Sequence, residues 1–183
     1  MYYFIQIIFD NRYRGDTGND CLVSVDGTDC KIEKHGKRWF SHKLKKPGVR
    51  HEVAVGIASG GIVSIVGPFP CSEYPDIKIF WMVLKHDLDD GERVEADKGY
   101  QGDKKVKAPG PLYDFDKRYV KMKKDVASRH ETVNQRLKLY TCLVDRFRHG
   151  VEKHAACFRA VAVMTQIAIE NGEPLFDVNY NDH

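Results

Sequence analysis

The chain has 183 residues, 42% hydrophobic and 30% charged, which is ordinary for one packed domain and excludes a disordered or fibrous protein. A net charge of +3 and a pI near 8.5 permit nucleic-acid binding without demanding it. The five cysteines (Cys21, Cys30, Cys71, Cys142, Cys157) are odd in number and form no C-x-x-C pair, which argues against a disulfide framework or a thiolate zinc site and for a reducing compartment.

The apolar start MYYFIQIIF is short, lacks a charged leader and runs into the polar DNRYRGDTGND. It is expected to be a packing segment, neither a signal peptide nor a membrane span. In CLVSVDGTDCKI, Cys21 to Ile32, Val23 and Val25 alternate with Leu22 and Ser24 at strand period, Gly27-Thr28 loosens the pattern and the chain resumes toward Ile32. Such a strand delivers Asp26 into the interior, where a carboxylate is costly unless it is paired or binds a metal. The Asp26-Gly27 pair also reads as a hairpin turn, the commoner use of Asp-Gly.

Next, KRWFSHKLKK, Lys37 to Lys46, is expected to be an extended arm in which Trp39 and Phe40 interleave with basic residues, suited to phosphate contact and base stacking. It reads equally as a solvated edge strand carrying protective lysines. VRHEVAVGIAS and IVSIVGPF bracket Gly60-Gly61 and predict a hairpin, giving three antiparallel strands in all. DIKIFWMVLKHDLDDG spaces Ile77, Phe80, Trp81, Leu84 and Leu88 as one amphipathic helix that stops at Gly91, with Asp76 placed to cap it.

In ERVEADKGY a short strand through Val94 and Ala96 ends at Asp97 and a Lys-Gly turn. KKVKAPGP adds an edge strand that breaks at Pro109 and Pro111. DKRYVKMKK, Asp116 to Lys124, leads into a helix, and Lys117, Arg118, Lys121, Lys123, Lys124 and Arg129 either line a DNA channel or form a solvated face. On that helix Val126, Val133, Leu137, Tyr140 and Val144 form one stripe, with Glu131, Asn134 and Lys138 on its flank, where a carboxylate can point into a cleft beside the core. A last helix, about Glu152 to Asn171, is apolar nearly all round through Phe158, Val161, Val163, Met164, Ile167 and Ile169; it is expected to be buried and to end at Gly172 and Pro174. His149 and His154 are off the spacing that puts two ligands on one helix face and read as structural. The order of elements is that of an α+β fold.

Four blocks, VDGTDC, GPFP with the following PDI, EADKGY and RHETVNQRLK, resemble in this order the catalytic core of DDE transposases, closest to the Harbinger-type superfamily. The resemblance runs from about Asp20 to the C-terminus, with 33 residues between Asp97 and Glu131. It implies a ribonuclease-H-like fold over residues 20–183, a mixed sheet of about five strands flanked by helices, with residues 1–19 the remnant of a linker. It implies Asp26, Asp97 and Glu131 as catalytic and metal-binding acids holding two Mg2+ or Mn2+ ions, Asp26 between the two. Water would cut at a transposon end, and the freed 3′-hydroxyl would attack target DNA.

Under that reading Lys98, Asn134, Arg136 and Lys138 contact phosphate or support the ligands, and Lys43, Lys45, Lys121 and Lys124 contact DNA. An acidic residue at the position of Asp76 also fits a role near the site. The expected partners are DNA, a separate or missing helix-turn-helix domain and a second copy of the chain, with no membrane. The expected location is the nucleus in a eukaryote and otherwise the cytoplasm, without secretion. Because the family carries its helix-turn-helix upstream and only about twenty residues precede the core here, a catalytic fragment or the product of a truncated element is expected. The alternative is a transposase-derived domain that no longer cuts and binds DNA or protein.

Overall fold

Cys21–Lys31 (β1) is an unbroken strand of 11 residues at the middle of the sheet. In this computed structural model, which describes residues 7–15, 18, 20–110 and 117–178, β1 has a partner on each side. Lys46–Gly56 (β3) runs antiparallel to it, and Arg93–Ala96 (β5) runs parallel. Ile62–Pro70 (β4) pairs antiparallel with β3 beyond the turn at Gly60-Gly61, and Val106–Lys107 (β6) extends the parallel side. Phe40–Ser41 (β2) pairs only with Lys46 and Pro47 at the start of β3. The order β4-β3-β1-β5-β6 is thus an antiparallel meander continued by two parallel strands, the ribonuclease-H-like arrangement expected, with β2 as an additional short strand.

Both faces of β1 are covered, which is why consecutive residues from Val23 to Val25 and from Gly27 to Cys30 are buried instead of alternating. On one face Val23 and Val25 pack with Ala54, Val94 and Tyr100 against Phe80 and Leu84. These last two come from Asp76–Met82 (α1) and Leu84–Asp87 (α2). On the other face Cys30, Val53 and Val55 meet Val133 and Leu137 of Lys117–Leu137 (α3), Leu143 of Thr141–Val144 (α4), and Phe158 and Val161 of Val151–Glu170 (α5). Among the described residues no helix is long and apolar enough to cross a membrane.

Several expectations need correction. Gly27-Thr28 does not interrupt β1, and Asp26-Gly27 is not a turn, because Gly27 and Thr28 continue the pairing with β3 opposite Glu52 and His51. The basic stretch is not an extended arm: Lys37–Trp39 is a 3-10 turn, and β2 folds back onto β3. The helix from Asp76 is broken at Val83 (φ −129°, ψ −80°), which leaves Trp81 44% exposed with its indole N–H donating to Asp103 at 2.9 Å. Asp76 makes no capping bond.

The stripe assigned to one helix ends with α3 at Leu137; Tyr140 precedes α4 and Val144 is exposed, while the turn back carries Leu143 into the core. α5 buries a single face, since Met164 and Ile167 are exposed. Its end is as expected, with Gly172 at φ +117°. Of the apolar start, Ile7 and Phe9 pack against the two core layers, and Met1 to Gln6 lie outside the described residues, as do Pro111 and Asp116. Just beyond, Arg12 is buried and its Nε donates to Glu92 at 3.0 Å.

Candidate functional site

Because β1 and β5 run parallel with Val25 beside Ala96, the next residues, Asp26 in the middle of β1 and Asp97 just past the end of β5, come together where the parallel pairing stops. A cleft of about 560 Å³ opens there between the sheet and α3, lined by Asp26, Lys43, Asp97, Lys124 and Glu131. The three acids expected from the sequence therefore share one cleft, although they come from two strands and a helix.

Asp26 is the most constrained of them. Its Oδ1 accepts the Gly27 N–H at 2.8 Å, and its Oδ2 accepts the Asn134 side-chain amide at 2.8 Å. Burial raises its pKa to about 6; the carboxylates of Asp97 and Asp76 push the same way, against the charge of Lys43 and the Gly27 bond. Asp97 is exposed, and its Oδ1 accepts the Gly99 N–H at 2.7 Å, closing the Lys98–Tyr100 turn. Glu131 is exposed on α3, one residue from His130. His130 is buried, shares a 2.8 Å hydrogen bond through Nδ1 with Ser24 of β1, and is held neutral by burial, with a pKa lowered to about 3. The Ser24–His130 and Asp26–Asn134 bonds tie α3 to β1 at two points one helical turn apart, and so fix which residues of α3 face the cleft.

The lysines divide. Lys43, in the turn between β2 and β3, and Lys124, on α3, are exposed and line the cleft. Lys45, Lys98, Lys121, Arg136 and Lys138 lie outside its lining. Lys123 lines it but is engaged, 2.8 Å from Glu95 and donating to the Lys107 carbonyl at 2.6 Å. Arg136 donates to the Glu173 carbonyl. Arg129, grouped by its charge with a DNA channel, is buried and donates to the carbonyls of Gly56, Ile57 and Phe176, so it pins the far end of the sheet to the C-terminal segment. Lys117 and Arg118 are exposed at the start of α3.

Two further acids lie beside the site: Asp76, expected as a helix cap with a role near the site as the other reading, and Glu52, which the sequence did not mark. Asp76 lies against Gly27 and Gly99: a Cβ on Gly27 would overlap its Oδ1, and a Cβ on Gly99 would stand 2.9 Å from Asp97 Oδ1 and 3.2 Å from Asp76 Oδ2. Its Oδ1 is 3.3 Å from Arg50 Nε, which lies closer to Asp29, at 2.7 Å, and that oxygen is buried without a hydrogen bond. Burial raises the Asp76 pKa, Arg50 opposes the rise, and Asp29 and Asp97 add to it. Glu52 of β3, directly across from Gly27, is 2% exposed, and neither carboxyl oxygen has a hydrogen bond. Burial lifts its pKa to about 8, with Asp76 and Asp26 contributing; the nearby Tyr100 hydroxyl favours the charged form without the alignment of a hydrogen bond. The signal available in the sequence was a glycine shortly after each of Asp26 and Asp97, and a glutamate inside the apolar run HEVAVG.

The donor set in the cleft lining, the carboxylate oxygens of Asp26, Asp97 and Glu131, is of the kind a hard divalent cation takes. As arranged, no three Asp, Glu, His or Cys side chains among the described residues surround one point at ligand distance. No family model, curated protein or solved structure matches the chain.

Proposed function

We propose that the chain is the catalytic core of a DDE-type endonuclease or transposase, cutting phosphodiester bonds at transposon ends and passing the 3′-hydroxyl to target DNA. The observation that carries this reading is the meeting of Asp26, Asp97 and Glu131 in one cleft with Lys43 and Lys124, from chain segments far apart in sequence. The four-block resemblance supports it independently. Asp26 and Asp97, with Glu131 across the cleft, would hold Mg2+ or Mn2+, and two such ions would neutralise charge on the attacking and leaving oxygens.

The chain's own groups prepare the site. Asn134 and the Gly27 N–H orient the Asp26 carboxylate, and Lys43 and Lys124 draw the phosphate backbone to the cleft without reading bases. With a pKa near 6, Asp26 holds its proton in competition with a cation, so metal affinity falls as pH drops below that value. DNA partners, self-association and a nuclear setting belong to the same proposal.

Nicking of supercoiled plasmid with Mg2+, Mn2+ or no metal tests it. Metal-dependent nicking lost on Asp26→Ala, Asp97→Ala or Glu131→Ala is expected, and wild-type rates in any one of the three would remove that residue from the site. A second reading, a transposase-derived domain that binds DNA without cutting, is favoured by the failure of the acids to converge on one point. Salt-dependent DNA retention with no nicking in either metal would decide for it.

A further inference from the structure

β1 outruns its parallel partner. β5 pairs with it only as far as Val25, whereas β3 follows its other edge to Lys31. Past the meeting of Asp26 and Asp97, no strand among the described residues pairs with the first of these edges until Ile32, where Phe147 takes up the same side. The Phe147 N–H donates to the Lys31 carbonyl at 3.0 Å and the Glu33 N–H to the Phe147 carbonyl at 2.8 Å, while the Ile32 N–H turns the other way, to Pro47. The six residues of extended chain from Asp26 to Ile32 span roughly 20 Å at about 3.3 Å each.

The far end of this edge is where the positive charge of the chain collects. Residues 31–38 and 145–153 hold seven Lys and Arg side chains against three Asp and Glu, a net +4 in a chain whose total is +3, so the rest of the molecule is on balance slightly acidic. The bridge fixes how part of this charge is presented. Phe147 packs on the core layer that includes Leu143 and Phe158, and its ring meets His154 edge-on with centroids 4.9 Å apart. The residues on either side of an inward residue in extended chain point outward, and Arg146 and Arg148 are both exposed. Arg146 has one exposed pair, at 3.7 Å with Glu33, which is worth little; Arg148 and the exposed Lys34 have no ion pair among the described residues.

Two guanidinium groups held outward by backbone bonds and a buried ring are preorganised for a repeating anion, and their planar forks match phosphate. Phosphates recur about every 3.4 Å along one strand of a duplex, so roughly 20 Å is a step of about six base pairs. We propose that Arg146 and Arg148, with Lys34 one residue past the bridge, form a second phosphate-binding surface that holds the same DNA duplex about six base pairs from the acids, so that the duplex lies along the open edge of β1. The inference rests on the reading of the cleft as a DNA site, but its readout does not require cleavage.

The experiment measures the affinity of the full chain, in chelator, for a labelled duplex of about 20 base pairs as salt is varied, for wild type, Arg146→Ala/Arg148→Ala, Arg146→Lys/Arg148→Lys and the exposed-lysine control Lys104→Ala. Melting of each variant is followed alongside. The double alanine variant is expected to lower the slope of log affinity against log salt by about two with melting unchanged, the double lysine variant to keep most of the slope, and Lys104→Ala to match wild type. A wild-type slope in the double alanine variant overturns the inference, and with nicking intact it leaves the nuclease reading standing. Failure of the wild-type chain to bind duplex overturns the inference as well. A lowered slope in a chain that never nicks does the reverse, removing the nuclease reading and keeping this surface. Polyglutamate of matched charge cannot bind a basic surface unless its own sign permits it, so it serves as the rival ligand: binding as tight as that of the duplex at equal salt, lost in the same variant, would assign the surface to an acidic protein and overturn the inference.

Discussion

Gly27 is in ordinary strand backbone, so space and not conformation requires glycine there: a side chain would have to share its place with Asp76. Gly27→Ala is therefore expected to cost about 1–3 kcal/mol, the usual range for overpacking, measured as a fall in the urea midpoint with an unchanged slope. Asn134 acts on the charge of its neighbour. A hydrogen bond to a charged group is worth about 1.5–3 kcal/mol, so Asn134→Leu should raise the Asp26 pKa by about one to two pH units, read by carboxyl chemical shift against pH. An unmoved value would mean that the Asn134 bond does not form in solution. Asp26 could be singled out in the sequence because it follows an apolar run at strand period, Asp97 because it closes a short apolar strand, and Glu131 because it flanks a helical stripe. Asp76 could be connected with the site only through the resemblance, because what gives it its place is Gly27 and Gly99, residues distant in the chain that only the fold brings beside it.

α3 is aligned on β1 by the buried Ser24–His130 bond one helical turn before Asn134, so Ser24→Val should loosen the helix that presents Glu131. The expected cost is about 1–3 kcal/mol, because His130 Nδ1 would be left buried without its partner. A melting temperature equal to wild type would show that the bond is not part of the docking. The β2–β3 turn has a different task, holding Lys43 over the acids; Lys43→Ala and Lys124→Ala are each expected to lower the slope of log affinity for duplex DNA against log salt by about one. Elements whose pattern is local were legible: β1 and β5 from their apolar alternation, β3 and β4 from the two glycines between them. The break at Val83 was not, since WMVLKH contains no glycine or proline; nor was the end of α3, where the chain turns to bring Leu143 into the core. α5 misled for a related reason, as an apolar surface all round is compatible with leaving Met164 and Ile167 in water when nothing among the described residues covers them.

For the molecule as a whole, the buried titratable groups set opposing slopes of stability against pH. His130 (pKa about 3), His154 (about 4) and His51 (well below its ordinary value) are held neutral by burial, with His154 adding to the effect on His51. Between those values and 6.5 the unfolded chain binds protons that the native chain refuses, so each histidine adds stability as pH rises to about 6.5 and none beyond it. Asp26 and Glu52 have the opposite sign: their raised pKa values mean that the native chain holds the extra proton, Asp26 from 3.8 to about 6 and Glu52 from 4.5 to about 8, and stability is lost as pH rises through those windows. Each such proton is worth about 1.4 kcal/mol per pH unit. From pH 4.5 to 6.5 three histidines outweigh two acids and stability climbs; above 6.5 only Glu52 of this set is still titrating, and stability declines toward pH 8. In the presence of a chelator, urea-denaturation free energies are thus expected to peak near pH 6.5, and Glu52→Gln to remove the decline on the alkaline side while keeping the acid limb. A wild-type curve that keeps rising between pH 6.5 and 8 would mean that Glu52 is already ionised in the native protein, a buried negative charge that its 2% exposure argues against.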